Sequence, residues 1–222
     1  MKPHISVAQA LMGSAGGNRP AKKLLLHAVA LAGLWYGCGA LAQERVATPD
    51  LCSNCHGYEG HSHWSYVPQL AGLSAPYIEE QLTLFRAHQA RKEHYAQIIM
   101  WGMAGSLSDE KIKSLAAYYA SQSPLPSTEP IPAHADLPAG QKIFTEGSPS
   151  QSLLPCMACH GDKAQGAAPA TPRLAGQHQD YLELQLRAFR SGRRENQTMN
   201  DIAKSLTDEQ IRDISSYLAS LR

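Results

Sequence analysis

The strongest constraint on this chain is a five-residue pattern, Cys-x-x-Cys-His, that occurs twice, as CSNCH at 52–56 and as CMACH at 156–160. Four of the five cysteines belong to these patterns, and the fifth, Cys38, lies well upstream. A disulfide framework would scatter its cysteines at varied spacings, and this chain does not. The two patterns are also embedded in a longer repeat. With a shift of 104, VPQLAG (67–72) falls on TPRLAG (171–176). At the same shift Tyr77, Ile78, Gln81, Leu82, Phe85 and Arg86 fall on Tyr181, Leu182, Gln185, Leu186, Phe189 and Arg190. With a shift of 99, SLSDEKIKSLAAYYAS (106–121) falls on SLTDEQIRDISSYLAS (205–220). The first copy therefore carries five extra residues between Arg86 and Met100, and the chain is a duplicated module.

Each copy reads as helical. Ile78, Leu82 and Phe85, and in the second copy Leu182, Leu186 and Phe189, follow the i, i+4, i+7 spacing of an amphipathic helix. The closing helices begin at Ser108-Asp109-Glu110 and Thr207-Asp208-Glu209-Gln210, hydroxyl caps followed by acidic residues that suit a helix N-terminus. Ile112, Leu115 and Tyr119 give a buried face, matched by Ile211, Ile214 and Leu218. No strand pattern appears, so the expected fold is all-α. Between the copies, SQSPLPSTEPIPAHADLP (121–138) contains five prolines, which predicts an extended, semi-rigid connector. The expected organisation is one module at 43–120, a proline-rich linker at 121–136 and a second module at 137–222.

Residues 1–42 hold Lys2, Arg19, Lys22 and Lys23 and no acidic residue. The basic stretch precedes an apolar run ending in Ala40-Leu41-Ala42, the pattern of an export signal cleaved before Gln43, with an uncleaved membrane anchor as the alternative. Export predicts a periplasmic, oxidising location. Lys and Arg (20) nearly balance Asp and Glu (19) over the full chain, and no basic patch of a nucleic-acid binder is apparent.

Cys-x-x-Cys-His is the attachment signal for c-type haem. Cysteines three apart lie on one face of a helical turn, so both thiols reach the vinyl groups of one porphyrin while the next residue offers an imidazole to the iron. Cys52, Cys55 and His56, and Cys156, Cys159 and His160, are thus candidates to hold two covalent haem c groups. An apolar cofactor would also fill a module of about 80 residues whose own core is thin; the whole chain has three phenylalanines. Zinc is the alternative for paired CxxC sequences, but its ligands would have to gather across the linker.

For the sixth iron ligand, Met199 and Met100 occupy the same register before the closing helices, and thioether ligation raises the reduction potential relative to bis-imidazole. Met103, which aligns with Ile202, and His94 remain rivals for Met100. Pro68 and Pro172, in the repeated P-x-L-A-G loop, are candidates to set a carbonyl against each imidazole N–H, with a plain turn as the alternative. Arg86 and Arg190 are candidates to pair with haem propionates, unless they serve only the helix dipole. His61, His63, His88, His134 and His178 have no repeat partner and are expected to be solvated.

The run CSNCHG…VPQLAG…YIEEQLTLFR…M…LSDEKIKSLAAYYAS and its second copy CMACHG…TPRLAG…YLELQLRAFRSGRREN…M…LTDEQIRDISSYLAS resemble the dihaem cytochromes of the c4 type over nearly all of 43–222. That resemblance implies two tandem class I cytochrome c domains, each wrapped around a covalently bound haem. His56 with Met100 and His160 with Met199 would take the axial positions. It implies a periplasmic carrier that passes electrons from a respiratory complex to a membrane terminal oxidase or reductase. An N-terminal anchor or transient association with the membrane surface fits the same reading. The alternatives are the cytochrome subunit of a periplasmic dehydrogenase and a dihaem peroxidase. Module one departs from the pattern: only nine residues separate the expected cleavage site from Cys52, whereas module two begins with the helix-like LPAGQKIFTEG.

Overall fold

The computed structural model describes residues 49–92 and 95–222, which belong to one compact unit. The expected leader and cleavage site, Cys38 and His94 lie outside the described residues. Among the described residues nine α-helices follow in order: α1 (Pro49–His56), α2 (Ala75–Arg86), α3 (Tyr95–Ala104), α4 (Asp109–Ala120), α5 (Leu137–Glu146), α6 (Met157–His160), α7 (Gln179–Arg190), α8 (Gln197–Lys204) and α9 (Asp208–Ser220). Among the described residues there is no β-strand, only two isolated bridges, Ser148 with Leu153 and Ala167 with Thr171. None of the described helices is long and apolar enough to cross a membrane.

The two copies fold alike from α2 and α7 onward. In the first, α2 packs on α3 and α4; in the second, α7 packs on α8 and α9. Pro76 sits in the first turn of α2, where a missing N–H costs nothing. Ser108 caps α4 by accepting from Lys111 N, and Thr207 forms a reciprocal capping box with Gln210 at the start of α9. The apolar faces expected for the closing helices are buried: Ile112, Leu115 and Tyr119 on α4, and Ile211, Ile214 and Leu218 on α9.

The copies differ at their beginnings. α5 lies against α9, with Phe144 fully buried and its ring 5.7 Å from that of Tyr217. Gly140 makes that approach possible, because a Cβ there would stand 2.2 Å from the Asp213 carbonyl oxygen. Among the described residues no such helix precedes α1.

The proline-rich connector has no helix or strand from 121 to 136, and it is packed rather than free. Pro124 lies over Gly72, Leu125 beside Gly176, and Glu129 Oε1 lies 3.1 Å from His178 Nδ1. His178, expected to be solvated, is only 2% exposed: its Nε2 donates to the Ser62 carbonyl at 3.0 Å, across the two copies. Its register partner Ser74 explains the miss: the repeat puts a short hydroxyl there, whose own bond across the seam, 3.3 Å to Pro169 O, is exposed rather than buried. His61 is half-buried, while His63, His88 and His134 are exposed.

Candidate functional site

The imidazoles of His56 and His160 end α1 and α6 and are 7% and 8% exposed. His56 Nδ1 lies 2.9 Å from the Pro68 carbonyl oxygen, and His160 Nδ1 lies 3.0 Å from that of Pro172. A carbonyl only accepts, so each ring carries its proton on Nδ1 and keeps a lone pair on Nε2. Burial lowers the pKa of both histidines, which favours the neutral ring, and the Pro68 and Pro172 bonds oppose that only in part. A neutral imidazole with a free Nε2 and a bonded Nδ1 is the form a metal takes as a ligand.

The carbonyls are placed by the same loop construction in both copies. Leu70 N and Ala71 N both donate to Gly60 O, as Leu174 N and Ala175 N do to Ala164 O. Gly72 N then donates to Tyr119 O on α4, and Gly176 N to Leu218 O on α9. The repeated P-x-L-A-G segment is thereby pinned between the loop after the Cys-x-x-Cys-His helix and the closing helix. Gly57, directly after His56, has φ +74°, and a Cβ there would meet His61 O, so the sharp exit from α1 requires glycine.

All four motif cysteines are free thiols, Cys55 and Cys159 exposed, Cys52 and Cys156 half-buried. Burial pushes the Cys156 thiol up to about 11 and raises Cys52 as well, so both inner sulfurs sit where a neutral thioether is at home. Cys52 and Met100 both pack against the cluster of Phe85, Ala90, Ala104, Leu107, Ile112 and Leu115, whereas Met103 is 44% exposed on α3. Ala104 and Ala203, both fully buried, and Leu107 and Leu206 fix a register of 99 across α3 and α8. In that register Met100 falls on Met199. Met199 is half-buried in the first turn of α8, its N–H bonded to the capping Asn196 at 3.1 Å. These donors fit two haem c groups. Among the described residues no three His, Cys, Asp or Glu side chains converge as a metal cluster, so the zinc alternative finds no ligand set there.

Arg86 and Arg190, the candidates for propionate pairing, make matching contacts within the protein. Arg86 donates to Leu107 O at 2.8 Å and to Asp109 Oδ1 at 2.7 Å; Arg190 donates to Leu206 O at 3.3 Å and to Asp208 Oδ1 at 2.7 Å. Each guanidinium straps the end of one helix to the start of the closing helix. Arg187 adds a further ion pair to Asp208.

Sequence reasoning missed the polar seam between the copies. Arg91 and Arg194 are both buried, each over its own phenylalanine, Phe85 and Phe189. Arg194 donates to Gln185 Oε1 (2.8 Å), Tyr77 Oη (2.9 Å) and Gln81 Oε1 (3.1 Å). Burial, and next the charge of Arg194, lower Arg91 to about 10. Gln69 and Gln177 interlock at the same seam: Gln69 N donates to Gln177 Oε1 (2.9 Å), Gln177 Nε2 to Gln69 O (3.0 Å), and Gln69 Nε2 to Gly176 O (2.8 Å). The repeated Tyr77/Tyr181 and Gln81/Gln185, at matching positions of the two amphipathic helices, were the available signal.

Comparison with known proteins agrees with this arrangement. The cytochrome c family model matches residues 138–222. Cytochrome c-552 of Acidithiobacillus ferridurans is 40% identical over 82% of this chain and 77% of its own length. A thiosulfate dehydrogenase electron acceptor of Thiomonas intermedia is 31% identical over 90% of this chain and 92% of its own. The structure of Acidithiobacillus ferrooxidans cytochrome c4 superposes with a TM-score of 0.71 at 39% identity, covering 77% of this chain and 98% of that one.

Proposed function

The chain belongs to the cytochrome c4 family, and from that premise we propose that it is a periplasmic shuttle that takes electrons from a respiratory complex and delivers them to a membrane terminal oxidase or reductase. It is an electron carrier with covalently bound haem c and redox partner proteins, not an enzyme. The haem iron supplies the one-electron ferric/ferrous couple. In this reading Cys52, Cys55 and His56 hold one haem with Met100 opposite, and Cys156, Cys159 and His160 hold the other with Met199 opposite. The modules run from 43 to 120 and from 137 to 222, and the leader exports the chain.

The observation that carries this assignment is the pair of Nδ1–carbonyl bonds, His56 to Pro68 and His160 to Pro172, made by the same loop in both copies. Each bond fixes the tautomer and the ring plane, so the imidazole needs no reorientation when the iron changes charge. Phe85, Leu82 and their cluster keep water away from the Met100 side of the first site. Pyridine haemochrome analysis of the exported protein should give two haems per chain. Rapid oxidation of the reduced protein by membranes bearing a haem–copper oxidase would support the shuttle reading, and failure of such membranes to oxidise it would overturn that acceptor.

The similarity to a thiosulfate dehydrogenase electron acceptor favours a second reading, in which the electron source is a periplasmic dehydrogenase. Mixing the oxidised protein with such an enzyme and its substrate decides between donors: reduction on the enzyme's turnover timescale favours the dehydrogenase.

A further inference from the structure

The carbonyl of Pro68 and the N–H of Gln69 are the two ends of one peptide group. The carbonyl end accepts from His56 Nδ1 at 2.9 Å, and the N–H end donates to Gln177 Oε1, a side chain of the second copy, at 2.9 Å. The three groups make one continuous chain of hydrogen bonds from Gln177, through the peptide, to the imidazole. Gln69 and Gln177 are both buried, so no bulk water competes for these bonds. The Gln177 amide is itself held by its donation to Gln69 O and by accepting from His178 N at 3.0 Å.

A peptide whose N–H is engaged carries more negative charge on its carbonyl oxygen, because hydrogen bonds in a chain polarise one another. A more negative acceptor draws the Nδ1 proton and makes the imidazole a stronger electron donor through Nε2. That stabilises the ferric form over the ferrous. The second copy lacks the device: Arg173 stands where the first copy has Gln69, and its N–H has no such acceptor from the first copy among the described residues.

We propose that Gln177 is a positioning residue that lowers the reduction potential of the first haem from across the seam, so that the two otherwise matched haems differ and the difference depends on the two copies being docked. This rests on the reading of His56 as an iron ligand.

The test compares two variants with the unmutated holoprotein by spectroelectrochemistry and NMR of the reduced state. Gln177→Met keeps the volume and removes the amide oxygen. The potential of the first haem should rise, that of the second should stay, and the His56 Nδ1–H resonance should move upfield while that of His160 does not. Gln69→Ala removes the separate Gln69 Nε2–Gly176 bond but leaves the Gln69 N–H on Gln177. It should loosen the seam without moving either potential selectively. In the unmutated protein the Gln69 amide should exchange as slowly as core helical amides. The proposal is overturned by equal shifts at both haems, by an unmoved first potential in Gln177→Met, or by fast exchange at Gln69, which needs no variant to fold. A chain without haem absorbance would instead overturn the reading beneath it.

Discussion

On α9, Asp213 and Ser216 are buried, and Gly140 of α5 passes against Asp213 and Tyr217. On α4, the positions in the same register, Ser114, Ala117 and Tyr118, lie exposed or half-exposed, with no helix over them among the described residues. Yet the two imidazole–carbonyl distances differ by only 0.1 Å, 2.9 against 3.0 Å. The first copy thus reaches the same imidazole–carbonyl geometry with no helix over the back of α4 among the described residues. The minimal device is the Cys-x-x-Cys-His turn, the P-x-L-A-G loop and the closing helix, tied by the bonds from Leu70 to Gly60 and from Gly72 to Tyr119 and by their counterparts. α5 instead adds buried apolar surface to the second copy.

The contrast can be broken most forcefully at the methionines. Met100→Ala and Met199→Ala should each abolish half of the red charge-transfer absorption of methionine-ligated ferric haem and lower one potential, while Met103→Ala, at an exposed position, should leave the spectrum unchanged. An unchanged spectrum in Met100→Ala would part the two copies at the iron itself.

Next in size is the difference between the helix backs. Ser216→Leu forces a large side chain into the fully buried face of α9 and should cost about 3 kcal/mol in denaturant unfolding. Ala117→Leu, at the matching exposed position of α4, should stay within about 0.5 kcal/mol. Comparable losses from both would mean that the back of α4 is covered in solution.

A smaller effect is expected where the copies meet. His178→Ala leaves Ser62 O and Glu129 without their partner at a buried seam and should cost about 1–2 kcal/mol. Ser74→Ala, at the equivalent position, loses one exposed 3.3 Å bond to Pro169 O and should be close to neutral in the same melt.

The smallest difference concerns acid. Bonds from Arg190 and Arg187 hold the Asp208 carboxyl below its ordinary 3.8. A carboxylate lowered in the folded state contributes stability above its unfolded pKa and loses it as pH falls through the folded one. Asp208→Asn should therefore lower stability at neutral pH and narrow its gap from the unmutated protein below about pH 4. Acid titrations of Asp208→Asn and the unmutated protein, followed by circular dichroism, check this.

Much of the fold was legible because duplication doubles each signal. The apolar stripes of α2 and α7, the caps at Ser108 and Thr207 and the buried faces of α4 and α9 could be read twice and checked against each other. The same comparison selected Pro68 and Pro172, whose carbonyls the structure sets against the imidazoles. Part of what stayed hidden is what the copies do not share. His178 looked solvated because it aligns with Ser74, and Gln177 aligns with Leu73, so a repeat comparison discards both. Arg86 and Arg190 illustrate a different limit: the sequence marks a repeated cation at a helix end but not the partners it finds within the chain. Asp109 and Asp208, at the start of the next helix, are within reach in both copies.

The central claim is that each copy clamps its own covalently attached haem through its own Cys-x-x-Cys-His. It is tested most directly by intact-mass and haem-staining analysis of the exported protein after cleavage in the 121–136 connector. One haem should remain covalently on each fragment, and Cys156→Ser with Cys159→Ser should strip it from the second fragment alone. Haem on one fragment only, or polypeptide mass with nothing added, would contradict the account.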